Sequence, residues 1–491
     1  MRLRISRWQS VRWRVAFVAL VVVLLIGCGG DLTLPTPPAD VADAIKTAAM
    51  PTALTAEAMT AAAAIATGPT AVPSPTPPVG LSKDGTSEGV RLTGADRWQQ
   101  AGITGKGVRV GLIEWTFNDT ARFLPGAHLT VKSFRPDGAT VVTDESELPY
   151  GTLHGTATAE IVHEMAPGAD LYLAVITLSP ESFARAVDWL TNTAKVSVIS
   201  FSGGWYNGYP KDGTSAAAHA VDRAKAAGVF VALSAGNKAS GVLGSNANEG
   251  HYRAQYTDAD GDGYHDFSGP NGVEVRATGY LRIQLDWDAA NHPDAAYSFV
   301  LFAEDGVTAI DRSQPSTAPG NNVPYQVLET RVPKGMYLLR VTKDNGADLP
   351  IEIFFNGVQF GQITPESSLN LFADARGAVA VGAVNWKTDT IEPYASRGPT
   401  ADGRPKPDLY APDCTSTLAY ASVGSDGFCG TSAATPHVAG AAALYKQANP
   451  TAAPDDILAY FRAHAKSLPD AGHDGIPAGA ARLDLGPIPS R

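Results

Sequence analysis

Between Ala95 and Ser234 the chain alternates segments of two different periods, and this alternation restricts the fold more than any other feature. Gly107–Glu114 (GVRVGLIE), Asp170–Ile176, Val196–Phe201 and Val229–Ser234 are short, mostly apolar runs that read as buried strands. Between them, His154–Met165, Pro180–Thr193 and Ser215–Ala227 read as helices. In the second of these, Phe183, Ala186, Val187 and Leu190 recur at helical spacing. Strands alternating with helices predict an α/β fold, a parallel sheet with helices on both faces and sites at the carboxyl ends of its strands. The alternation breaks after Asn237 and resumes near Ala378 with AVAVGAV. Between these points the period becomes two: Leu281, Ile283, Leu285 and Trp287 alternate with Arg282, Gln284, Asp286 and Asp288, the pattern of a half-buried strand. Ser298–Phe302, Tyr325–Val332, Met336–Lys343 and Ile351–Phe355 continue the strand-and-turn rhythm of an inserted all-β domain.

Length and charge set the outer bounds. At 491 residues the chain exceeds one simple core and suggests two domains plus extensions. Its 49 glycines and 35 prolines suggest many loops, and a formal charge of −11 argues against a nucleic-acid surface without identifying a substrate.

The first 27 residues read as a targeting segment. Arg2, Arg4, Arg7, Arg12 and Arg14 form a basic start without an acid, and Val15–Gly27 is an apolar run too short to span a bilayer. The run ends Leu25-Ile26-Gly27-Cys28, which resembles a bacterial lipobox, a small residue before the cysteine that takes the lipid. A plain secretory signal or a short anchor helix is the other reading. Cleavage before Cys28 would remove five arginines and take the formal charge from −11 to −16. The expectation is an exported protein tethered to the bacterial cell membrane by a lipid on Cys28. Residues 28–92, rich in Ala, Thr and Pro, are expected to be an extended or disordered spacer, with Ala53–Ala66 a transient helix. The two remaining cysteines, Cys414 and Cys429, are an even pair in an exported chain, so a disulfide is expected; two buried thiols are the alternative.

The stretch Gly430–Gly440, GTSAATPHVAG, places Ser432 two residues after a glycine at the mouth of a helix through Ala433, Ala434, His437, Val438, Ala442 and Leu444. Such an N-terminus offers unpaired N–H groups and the positive end of the helix dipole to an oxygen nucleophile. Pro436 is expected in the first turn, where its missing N–H costs little. A buried small-residue helix is the plain alternative. The motif resembles the nucleophile motif of the subtilisin-like serine proteases, GTSMAxPHVAG, with Ala433 in place of Met.

Three further stretches carry the same resemblance in the same order. His154 opens HGTATAEIVHEMAPGADLYLAVI, similar to the family's HGT motif, which implies a general base; an imidazole suits that work near neutral pH. Gly155 and Thr156 are expected to let the serine and substrate approach one face of the ring. Glu114 ends VGLIE where the family has Asp, which implies the acid that orients the histidine. Glutamate adds about 1.5 Å of reach, and serine hydrolases of another fold use it in this role. Asp119, five residues on, is a substitute of lower rank. Asn237 ends VALSAGN, and its side-chain amide would donate to the oxyanion beside the Ser432 N–H. Ser202, Gly203 and Gly204 match the strand edge on which an extended peptide pairs. Ser396-Arg397-Gly398-Pro399, Lys406-Pro407-Asp408 and Ala411-Pro412 match structural landmarks, with Asp413 where the family usually has Gly.

On LRIQLDWD and GMYLLRVTK the insertion resembles the small β-sandwich of the prepeptidase C-terminal type. Asp258, Asp260, Asp262 and Asp266, around Gly263, have the spacing of a loop that converges on a hard cation such as calcium, while an EF-hand's last ligand position is taken by Gly269. A solvated acidic turn is the alternative. The expected division is 1–27 signal, 28–92 linker, 93–240 and 366–485 the two parts of a subtilisin-like catalytic domain, and 241–365 the inserted sandwich. The expected function is a lipid-anchored, monomeric serine endopeptidase with no cofactor for catalysis. It has no evident room for a folded inhibitory propeptide. Two other readings stay open: a catalytically impaired surface-binding member, and a sedolisin-like acid peptidase, against which the full HGT motif argues.

Overall fold

The computed structural model describes residues 87–488, apart from 142–150, 178, 207–210, 241, 244–246, 270–271, 276–278, 318–322, 426 and 474. The chain divides into two compact units, Met1–Pro73 and Ser74–Arg491, and every described residue belongs to the second. The expected signal, Cys28 and the spacer up to residue 86 lie outside the described residues.

The folded domain starts earlier than the sequence suggests. Residues expected at the end of the spacer form a short helix, α1 (Glu88–Leu92), followed by α2 (Ala95–Gln100). Glu88 is buried because its carboxylate accepts the Ser416 N–H at 2.9 Å and the Ser416 hydroxyl at 3.0 Å. Gly89 sits so close to His437 that a Cβ there would come within 1.8 Å of the ring. These long-range contacts, not local propensity, order the segment.

The first half of the α/β core runs β1 (Arg109–Glu114), α3 (Thr120–Phe123), β2 (His128–Ser133), α4 (His154–Met165), β3 (Asp170–Val175), α5 (Pro180–Trp189), β4 (Val198–Phe201), α6 (Ala216–Ala226) and β5 (Phe230–Ser234). Strand β2, too polar and exposed to read as a strand, pairs in parallel with β3 along its whole length. Helix α5 begins on a Ser179 hydroxyl that accepts the Ser182 N–H, with Pro180 in its first turn, and buries the apolar stripe foreseen from its spacing.

The insertion forms eleven described strands, β6 (Val242–Leu243), β7 (Ala247–Gln255), β8 (Gly272–Val275), β9 (Gly279–Trp287), β10 (Ala296–Ala303), β11 (Ala309–Arg312), β12 (Gln314–Thr317), β13 (Pro324–Val332), β14 (Gly335–Asn345), β15 (Pro350–Asn356) and β16 (Gln359–Phe360). They make two antiparallel sheets, ordered β11-β10-β14-β8-β16 and β12-β13-β9-β15-β7-β6. Leu281, Ile283 and Leu285 of one sheet share a core with Tyr297, Phe299, Leu301, Leu339 and Val341 of the other. The insertion is a β-sandwich. The alternation in β9 is less clean than its sequence implies, because Gln284 and Asp286 on the opposite face are also buried. Asp286 borders a cavity of about 380 Å³ together with Tyr206 and Lys211 of the α/β core, so that face is covered by the other domain.

The chain then returns through β17 (Ala378–Asn385), β18 (Leu409–Asp413), α7 (Leu418–Ala421), α8 (Thr431–Ala448), α9 (Pro454–His464), β19 (Lys466–Ser467) and β20 (Ala481–Arg482). Among the described residues the central sheet has the order β19-β20-β18-β17-β5-β4-β1-β3-β2, parallel except for β19. The order reverses around β1, which lies between β4 and β3, and Glu114 stands at its carboxyl end. This is the switch-point position where open α/β sheets place their sites.

Candidate active site

Helix α8 begins at Thr431 after Gly430, whose φ of 107° is a conformation that favours glycine. Ser432 is therefore a first-turn residue whose N–H the helix itself leaves unpaired. Pro436 lies deeper than the sequence reading placed it, beyond the first turn. Its missing N–H would have bonded the carbonyl of Ser432, four residues back. That carbonyl instead accepts the Ser202 hydroxyl at 2.9 Å, and the Ser432 hydroxyl donates to the Ser202 carbonyl, also at 2.9 Å. The proline thus frees a carbonyl that ties the Ser432 turn to Ser202.

Helix α4 begins with His154. Its Nδ1 lies 3.1 Å from Oε2 of Glu114, and the two side chains are only 4% and 1% exposed. Residue 155 is packed too closely for a side chain: a Cβ there would meet the Thr116 carbonyl at 2.1 Å and the Glu114 Cβ and Cγ at 2.9 and 3.1 Å. Gly155 therefore makes room for the Glu114 side chain and the Thr116 backbone. Thr156 donates its hydroxyl to the Asn118 carbonyl and fixes the loop after β1. Asp119 is exposed and opens α3 with a φ of 56°, so it is not the substitute acid.

Two aromatic rings that the sequence reading passed over hold the imidazole. Phe428 meets it edge-on with ring centroids 5.2 Å apart, and Trp115 packs at 5.8 Å. Trp115 follows Glu114 directly, a signal available in the sequence. Phe428 lies in the loop closed by the Cys414–Cys429 disulfide, and its N–H donates to the Thr415 carbonyl at 2.9 Å. The expected disulfide is present, and it anchors a ring against His154.

Asn237 turns its side-chain carbonyl to Thr431, accepting the N–H at 2.9 Å and the hydroxyl at 3.1 Å. With the oxygen engaged there, its amide group faces the other way. Gly203 and Gly204 follow β4 as expected, and both lie against neighbours a Cβ would strike: Trp115 and Phe201 beside Gly203, and Asn370 beside Gly204. Asn370, also missed, donates to the Gly203 carbonyl at 3.3 Å and supports the edge from below. Asp413 is buried with its carboxyl pKa pushed well up by desolvation, and it accepts the Tyr394 hydroxyl.

The subtilase family model matches residues 105–294 and 356–477, more than half of the chain. The chain belongs to the subtilase family. Subtilisin DY of Bacillus licheniformis is 32% identical to this subtilase over 182 residues, covering 34% of this chain and 60% of that protein. Serine protease AprX of Bacillus subtilis (strain 168) is 42% identical over 83 residues, 14% of this chain and 19% of that protein. The similarity to each thus spans less than two thirds of the relative. Among solved structures, the CspB protease of Clostridium perfringens has the same fold at 16% identity, with a TM-score of 0.53 over 81% of this chain and 98% of that one.

Away from this site, Asp258, Asp260 and Asp262 of the subtilase are exposed, and one carboxylate oxygen of each lies within 4.8 Å of the others. Asp266 does not join them in that group; it accepts the Ala259 N–H at 2.5 Å.

Proposed function

We propose that this subtilase is a serine endopeptidase working through Glu114, His154 and Ser432. The observation that carries the reading is the buried Glu114–His154 pair at 3.1 Å, in a domain that places Ser432 in the first turn of a helix. His154 takes the Ser432 proton as the hydroxyl attacks a peptide carbonyl and returns it to the leaving amine, while Glu114 holds the ring and stabilises its protonated form. The Asn237 amide and the Ser432 N–H stabilise the tetrahedral oxyanion. The peptide pairs in extended form along Ser202, Gly203 and Gly204. The chain is exported and held at the bacterial cell membrane by a lipid on Cys28, a reading supported by the basic start and the Leu25–Cys28 motif. Asp258, Asp260 and Asp262 suit a hard cation, since three carboxylates already converge in a loop turned by Gly261 and Gly263; calcium there would stiffen the sandwich loop and take no part in catalysis.

A second reading, a surface-binding protein with an idle site, is favoured by one observation: the single Ser432 hydroxyl proton is given to the Ser202 carbonyl. Labelling of the full-length protein with a fluorophosphonate separates the two. The peptidase reading expects labelling near neutral pH that disappears in Ser432→Ala. No labelling of the wild-type protein would give the binding reading the lead.

A further inference from the structure

The insertion departs from the core immediately after the oxyanion asparagine and returns beside it. The turn Ala235–Lys238 is held by groups on both sides of the insertion. Asn370 N–H donates to the Ala235 carbonyl at 2.9 Å, Ser396 N–H to the Gly236 carbonyl at 2.8 Å, and Lys238 N–H to the Ser396 hydroxyl at 2.9 Å. Asn237 N–H itself donates to the Tyr206 hydroxyl at 3.4 Å.

Both residues that flank Asn237 in this way end on the sandwich. The Lys238 side chain is 1% exposed; its ammonium lies 3.0 Å from Oε2 of Glu249 and donates to the Phe355 carbonyl at 3.2 Å and to the Asn356 side chain. Glu249 and Asn356 face each other in register on the adjacent strands β7 and β15. The Tyr206 ring packs on Phe354 of β15 at 5.0 Å and under the Lys238 ammonium at 5.3 Å. A buried ammonium is tolerated only where fixed acceptors replace its water. Here the carboxylate, the carbonyl and the side-chain oxygen that meet it all belong to the sandwich. Burial pulls the Lys238 pKa down, and the Glu249 charge opposes that pull.

We propose that the inserted sandwich is a positioning element of the oxyanion hole: Lys238, held by Glu249 and Asn356, and Tyr206, held by Phe354, fix the turn that aims the Asn237 amide. Oxyanion donors lose their effect over fractions of an ångström, so a turn with its next residue locked into a second domain is suited to that demand. The proposal rests on the peptidase reading above. It gives the sandwich a part in the chemistry of the core, separate from any ligand the sandwich itself binds.

The test uses the full-length protein and a peptide p-nitroanilide selected from a library on the wild type, with active serines titrated by fluorophosphonate. Tyr206→Phe removes the acceptor of the Asn237 N–H while keeping the ring. Lys238→Met combined with Glu249→Leu removes the ion pair as a unit and avoids leaving one charge buried alone. Each is expected to lower kcat about 10-fold or more with KM changed less than about 2-fold. In an Asn237→Ala background the same substitutions are expected to cost less than about 2-fold, because the group they position is gone. A full, additive loss in that background would show a general structural role and overturn the proposal, as would unchanged kcat in both variants. Absence of turnover and of titratable serine in the wild type would overturn the peptidase reading, and the proposal with it.

Discussion

Two buried carboxylates, Glu114 in the parallel sheet and Glu249 at the edge of the sandwich, face nitrogen bases at nearly the same distance, 3.1 Å and 3.0 Å. The partner makes the difference. Glu114 meets an imidazole, a ring whose two nitrogens can each accept or donate a hydrogen bond, and this is the pair to which the proposed proton transfer is assigned. Glu249 meets an ammonium fixed by a carbonyl and an amide as well, so that pair can only hold shape. Two pairs of similar length thus differ in their nitrogen partner, and the proposed chemistry is assigned to one and an architectural part to the other.

The largest effect expected from breaking this comparison is at Glu114. Glu114→Gln keeps the volume and removes the charge, and should lower kcat by about 10³–10⁴-fold, the scale seen when a triad carboxylate is neutralised. A loss below tenfold would mean that the carboxylate does not orient His154. Glu114→Asp sharpens the point. The gap over Gly155 is filled by the glutamate methylene, so the shorter acid withdraws by about 1.5 Å and activity should fall. A gain on that substitution would show that the glutamate is an impairment.

A second set of carboxylates, with no role in the proposed chemistry, yields a stability effect. Burial raises Glu160 to about 7 and Glu164 to about 8, the latter with added repulsion from Glu160 and Glu88. Their folded values stand above the ordinary value of 4.5, so the folded state binds these protons more tightly than the unfolded chain. The stabilisation is complete below that ordinary value and is lost as pH rises through about 7 and 8. Glu164→Gln should therefore flatten the fall of the urea midpoint between pH 5 and 9 and raise it at the alkaline end. An unchanged pH dependence would remove Glu164 from this account.

The smallest effect is expected at the sandwich loop. Calcium removal, or Asp260→Asn, should lower the Tm of the sandwich transition by roughly 2–4 °C, about one kcal/mol for a unit of this size. Turnover per active serine should not change, since the loop is exposed and has no part in the oxyanion turn. A matching drop in kcat would tie the loop to the catalytic core.

Much of this was legible in the sequence because local chemistry dictates it. The alternation of buried strands and amphipathic helices follows from periodicity; Glu114, His154 and Ser432 each stand at a strand end or helix start that their own neighbours define, and Asn237 in the turn after β5. Cys414 and Cys429, an even pair in a chain read as exported, carried the expectation of a disulfide, and the structure has it. Other features had no local signal. Strand β2 is polar and exists because β3 offers it a full edge. Helix α1 is ordered by Ser416 and His437, more than three hundred residues away in the chain. Pro436 looked like a first-turn proline, and only the packing of Ser202 against the helix shows how its missing bond is satisfied. Lys238 has no local signal of burial in the sequence, and its burial depends on strands β7 and β15. The sequence by itself determined most core elements and the candidate reactive groups, since these depend on residues near one another in the chain. Tertiary structure alone decided which distant groups hold them in place, because the free energy of a buried charge or an unpaired carbonyl is set by whatever surface closes over it.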